Sequence, residues 1–179
     1  MSVCAPTVAT RRGAPYLAAM RPRVYIETTI PSFYHAGRTD VESAAKQILT
    51  RRWWRAERAS YDLVTSAATI DELAGSGRAA LRDRRIRLLD GLGLLAVTPA
   101  AADATAEYIR QFVMPAGERG DALHLALASV HACDFLLTWN CRHLANANKT
   151  DHIALVNRRL GLHVPKLVTP EQLSYPESS

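Results

Sequence analysis

Glu27 ends a short run of β-branched and aromatic residues (VYIE, 24–27), Glu72 lies in TIDEL, Asp121 opens GDALHLALA, and Asn140 follows FLLT. Three carboxylates converging on one crevice repel one another unless a hard divalent cation compensates them. Carboxylate oxygens completed by waters are what Mg2+ or Mn2+ prefer, so a metal site is the economical expectation. Each acid taken singly also has an ordinary account. A helix-borne Glu such as Glu72 is commonly solvated, and an acid at a helix start such as Asp121 compensates the helix dipole. Glu27 is harder to explain that way, because a carboxylate ending a buried strand requires a partner.

Positioning these residues falls to alternating elements. Strands are expected at 24–27, 63–66 (LVTS), 94–97 (LLAV), 135–138 (FLLT) and 166–168. Between the first two, Thr39 and Glu42 match a capping box, and Val41, Ala44, Ala45, Ile48, Leu49 and Trp53 recur at helical spacing up to about Ser60. Further helices are expected over 69–74, 78–90, 100–114, 121–131, 141–146 and 150–160. Strands and helices in this alternation require crossover connections, so the fold class is α/β, a parallel sheet covered on both faces in three layers. In such a sheet ligands bind beyond the carboxyl ends of the strands. Glu27 and Asn140 belong to that edge, and Glu72 leaves the second strand at the same edge. Which edge Asp121 approaches depends on the fold. Asp134 precedes the fourth strand and therefore belongs to the opposite edge, as a surface or turn residue.

The 179 residues suffice for a single core. Residues 1–21 carry no sustained period and are expected to be a disordered extension, with the domain at 22–175; Met20, just ahead of the first strand, is an alternative start. The net charge of +5 favours a polyanionic partner. Cys4, Cys133 and Cys141 form an odd set that implies no disulfide framework, and neither a membrane span nor a secretory leader is evident, so a cytoplasmic protein is expected.

The segment VYIETTIPSF resembles the opening of PIN domains, TIDEL their second-acid segment and GDALHLALA the third; LLTWNCRHLANA resembles the fourth motif in one branch of the VapC-like toxins of bacterial toxin-antitoxin pairs. Together these cover about residues 24–173. The resemblance implies a PIN sandwich with strand order 3-2-1-4-5, Glu27, Glu72 and Asp121 holding Mg2+ or Mn2+ with Asn140 beside them, and water activated for attack on an RNA phosphodiester. Thr28, Thr29 and Thr138 match hydroxyl positions that orient a carboxylate or metal-bound water. A cognate antitoxin and a homodimer are the implied partners. Two departures stand out: Glu27 replaces the usual Asp, and Asn140 replaces an Asp found in many members. With three negative charges in place of four, metal affinity is expected to be weakened. The resemblance therefore leaves a second expectation, a catalytically weakened RNA- or protein-binding module, and a third, a nuclease directed at DNA.

Two basic clusters remain. Arg51, Arg52, Arg55 and Arg58 interleave with Trp53 and Trp54, suited either to phosphate contact with base stacking or to a solvated face over a core Trp53. Arg78, Arg82, Arg84, Arg85 and Arg87 form the other, able to meet an acidic antitoxin tail. His124, Cys141 and His143 match no closed zinc spacing and are expected as core or surface residues.

Overall fold

The computed structural model describes residues 21–36 and 40–174. All but Arg21 of the extension expected over residues 1–21, and the capping role of Thr39, lie outside the described residues. Five strands, β1 (Arg23–Ile26), β2 (Asp62–Ser66), β3 (Gly93–Leu95), β4 (Phe135–Leu137) and β5 (Lys166–Val168), form one sheet in the order β3-β2-β1-β4-β5. Every pairing is parallel, with Val24 opposite both Leu63 and Phe135. The strand order reverses between β1 and β4, which opens a crevice at their carboxyl ends.

Alternation along the strands divides the core. Tyr25, Val64 and Leu136 face α5 (Pro99–Arg110), α6 (Arg119–Val130) and α7 (Thr150–Leu160), whereas Val24, Ile26, Leu63 and Leu137 face the opposite layer. That second layer comprises α1 (Thr29–Tyr34), α2 (Val41–Ala56), α3 (Ala67–Ala74) and α4 (Ala79–Arg87). The sheet is therefore covered on both faces, as the strand–helix alternation requires. Among the described residues no helix is long and apolar enough to cross a membrane.

The caps explain where several helices begin. Ser66, the last residue of β2, accepts a hydrogen bond from the Thr69 amide at 3.3 Å and starts α3 directly at the sheet edge. Thr98 caps α5 ahead of Pro99, whose fixed φ suits a first helical position. Asp40 caps α2, accepting from the Ser43 amide at 2.8 Å, while Glu42 pairs with Lys46.

Two sequence expectations are corrected. The buried face of α2 runs through Ser43, Thr50, Trp53 and Trp54, and Val41 and Ile48 are 87% and 66% exposed. The polar inner positions are held by bonds that apolar residues could not make: Trp139 Nε1 donates to Thr50 Oγ1 at 2.7 Å, and Gln47 Nε2 donates to the Ala36 carbonyl at 2.7 Å. Residues 141–146 form successive turns and no helix, because the Asn140 side-chain oxygen accepts from the His143 amide and its backbone carbonyl accepts from Leu144 and Ala145. Beyond β1, residues 29–34 make the short helix α1.

Candidate active site

Glu27 emerges from β1 into a nearly closed position, 2% exposed. Its Oε2 accepts from the Thr29 amide at 2.9 Å, and its Oε1 accepts from the Thr29 hydroxyl. Burial pushes this carboxyl above the ordinary glutamate range, against the His124 charge and hydrogen bonds from Thr29 and Thr138. Thr138, just past β4 and fully buried, also accepts from the Asn140 amide at 2.8 Å. The extra methylene of Glu27 thus folds the carboxylate back onto its own chain.

Glu72, on α3, reaches the same edge. Its Oε2 accepts from Thr28 Oγ1 at 2.5 Å and lies 3.2 Å from His124 Nε2. Burial raises this carboxyl, but the bonds from His124 and Thr28 outweigh it and the net shift is downward. The other oxygen, Oε1, lies only 2.8 Å from where a Cβ on Gly120 would stand. A residue without a side chain at that point of α6 lets the carboxylate approach.

His124 is the residue whose role sequence reasoning missed. It is 2% exposed, on α6 one turn after Asp121, and its Nδ1 lies 2.8 Å from the Tyr25 hydroxyl. That hydroxyl also reaches Ser66 Oγ at 2.7 Å and Thr69 Oγ1 at 3.2 Å, so a buried polar chain runs from β2 through β1 to Glu72. Burial works against a charge on His124. Even so, the Tyr25 oxygen, the Glu72 bond and the Glu27 charge raise its pKa to about 10. Glu27, Glu72 and Asp121 all feel this imidazolium, a cation supplied by the chain itself.

Asp121 sits in the first turn of α6 and is half-buried. Asn140 Nδ2 donates to its Oδ2 at 2.7 Å, which ties the helix to the segment after β4. Burial and then the neighbouring Glu118 push this carboxyl up, while His124, His143 and the Asn140 bond oppose them. Glu118, Asp121 and His143 each offer a ligand atom, all within 4.8 Å of one another, and His143 Nε2 is 3.5 Å from Glu118 Oε1. Among the described residues Glu27, Glu72 and Asp121 do not close into such a group. Both oxygens of Glu27 and one of Glu72 are taken up by threonines and His124, and Asp121 is grouped with residues the sequence did not single out as its partners. Glu118 and His143 are 25 residues apart in sequence and meet only because the Asn140 turn brings His143 back onto the start of α6.

Two half-buried carboxylates and an imidazole at this spacing suit a divalent ion. The imidazole suits a transition-metal ion better than Mg2+, which is held mainly by oxygen donors. Asp134 lies at the opposite edge, accepting from the Arg23 amide at 2.7 Å. Trp53 and Trp54 are buried in the core and offer no face to a base.

No family model matches the chain, and no curated protein matches it in sequence. Among solved structures, VapBC2 from Rickettsia felis bound to a DNA fragment from their promoter aligns at 14% identity and a TM-score of 0.48, over 82% of this chain and 98% of that one. The fold and site described above stand independently of that likeness.

Proposed function

We infer that this protein is a metal-dependent endoribonuclease of the VapC-like PIN type. What supports this reading is that Glu27 from β1, Glu72 from α3 and Asp121 from α6 all lie within reach of the His124 charge at the edge where strand order reverses, with Asn140 bonded to Asp121. The motifs in order along the chain and the surplus of positive charge support the same reading. A bound Mg2+ or Mn2+ supplies an activated water and stabilises charge developing on the phosphate.

The chain's own residues do the rest. Asp121 presents a half-buried carboxylate, with Asn140 fixing one of its oxygens and Glu118 and His143 completing a donor set. Glu72 offers Oε1, its other oxygen being held by Thr28 and His124. Glu27, folded onto Thr29, contributes charge close to the crevice. RNA is the substrate, an antitoxin and a second copy of the chain are the partners, and the cytoplasm is the setting, all by the motif resemblance.

The test is cleavage of RNA by purified protein with Mn2+ or Mg2+, abolished by EDTA and by Asp121→Asn. A second reading, a binding module with weakened turnover, draws on the way Glu27 is occupied by Thr29. It predicts RNA or partner binding that survives EDTA, with no cleavage under any metal.

A further inference from the structure

The two arginine clusters belong to different helices, Arg51 to α2 and Arg84, Arg85 and Arg87 to α4. Packing brings both against α1, the short helix that leaves the acid crevice. Arg51 Nε donates to the Tyr34 carbonyl at 3.0 Å, and its guanidinium lies 5.7 Å from the centre of the Tyr34 ring. The Tyr34 and His35 rings are 4.9 Å apart. On the same helix, Lys46 Nζ lies 5.2 Å from the centre of the Phe33 ring. The end of α1 therefore presents half-buried rings alternating with cations.

Arg84 and Arg87 are exposed and one turn apart. The one acid within α4, Asp83, pairs with Arg82 at 3.6 Å. The charges of Arg51, Arg84, Arg85 and Arg87 all reach His35, where, after burial, they hold the imidazole below its ordinary pKa. Basic residues in the last turn of α4 compensate that helix's dipole, but this accounts for neither Arg51 nor its placement beside them. Like charges gathered from two helices mark a place where an anion is welcome.

We propose that Arg51, Arg84, Arg85 and Arg87, with the rings of Phe33 and Tyr34, form a strip that binds the backbone of single-stranded RNA and leads it along α1 to the acid crevice. The six residues of α1 span about 9 Å at ~1.5 Å per residue, so the strip adjoins the crevice. A single strand alternates phosphates with bases, which suits cations alternating with aromatic faces. An acidic peptide would use the charges and leave the rings idle. The direction of feeding rests on the nuclease reading; the binding itself does not.

The test measures anisotropy of a short fluorescein-labelled oligouridine with the full-length protein in EDTA across a salt series, so that no turnover intervenes. Arg84→Gln combined with Arg87→Gln is compared with Arg158→Gln combined with Arg159→Gln, an equal loss of charge at exposed positions on α7 in the other layer. Each phosphate contact contributes about 0.7 to the slope of log affinity against log salt for a single strand, so the α4 pair should flatten the slope by about 1.4. The α7 pair should leave it unchanged, and both proteins should keep the wild-type melting temperature. Equal effects from the two pairs, no salt-sensitive binding by the wild type, or displacement of the RNA by polyglutamate at equal charge would each overturn the proposal. RNA binding through the strip without cleavage in Mn2+ would retain it and sink the nuclease reading instead.

Discussion

The inner and outer halves of the acid crevice are built on opposite principles. In the inner half, both oxygens of Glu27 are taken by Thr29 and one oxygen of Glu72 by Thr28 and the buried His124, which is itself anchored through Tyr25 to Ser66. In the outer half, Asp121, Glu118 and His143 gather partly exposed ligand atoms with only Asn140 as a fixed support. The contrast teaches that a crevice edged by these acids and the amide of Asn140 need not be left uncompensated. The inner carboxylates lean on a side-chain cation, and the outer ones are left for an ion from solution.

Breaking the outer half should have the largest effect. Asp121→Asn should reduce Mn2+-dependent RNA cleavage by more than the roughly 10–100-fold typical of groups supporting a ligand, while melting temperature stays near the wild-type value. A variant retaining most of its activity would shift the centre of the site to the inner acids.

The inner half is probed next by Tyr25→Phe, which removes the hydroxyl shared by His124, Ser66 and Thr69 without changing packing. Leaving these buried partners short should cost about 1–3 kcal/mol in urea unfolding. The sign of the pH effect follows from His124. Its folded pKa of about 10 lies above the ordinary 6.5, so its contribution is fully present below pH 6.5 and is lost as pH rises through 10. Wild type should therefore lose stability over that window, and His124→Gln, already less stable at neutral pH, should not.

Gly120→Ala sharpens the comparison because its effects on stability and function should diverge. Alanine in a helix is favoured over glycine by about 0.5–1 kcal/mol, yet its Cβ would stand 2.8 Å from Glu72 Oε1. Urea unfolding should show little loss, while calorimetry should show weaker Mn2+ binding as the carboxylate is displaced. The smallest effect is expected at Val41→Lys and Ile48→Lys, on the outer face of α2, where surface changes stay within about 0.5 kcal/mol.

The sheet was legible because β-branched runs such as VYIE and LVTS alternate with helical segments, and Glu27, Glu72 and Asn140 could be sorted to one edge from their distance to those runs. The inner face of α2 was not, since hydrophobic spacing points to Val41 and Ile48, whereas Thr50 is drawn inward by a bond to Trp139. Periodicity records apolar area and is blind to a hydroxyl that satisfies a buried indole. His124 was visible as a residue one turn from Asp121, but its partners Tyr25 and Glu72 are 99 and 52 positions away. Nothing local announces an imidazole held between a phenol on one strand and a carboxylate on a helix of another crossover. Glu118 and His143 escaped for the same reason, with the added obstacle that residues 141–146 read as a helix, which would have carried His143 elsewhere.

The Thr29 hydroxyl is a hinge pin between two strand ends. It gives its proton to Glu27 and takes one from the Trp139 amide at 2.8 Å, so the mouth of β1 and the mouth of β4 are clasped through a single oxygen. Serine could keep the clasp and valine could not, whatever its match in size. Any partner that tugs on the segment after β4 would find its pull delivered to the Glu27 carboxylate, making that segment a natural handle for throttling the crevice from outside.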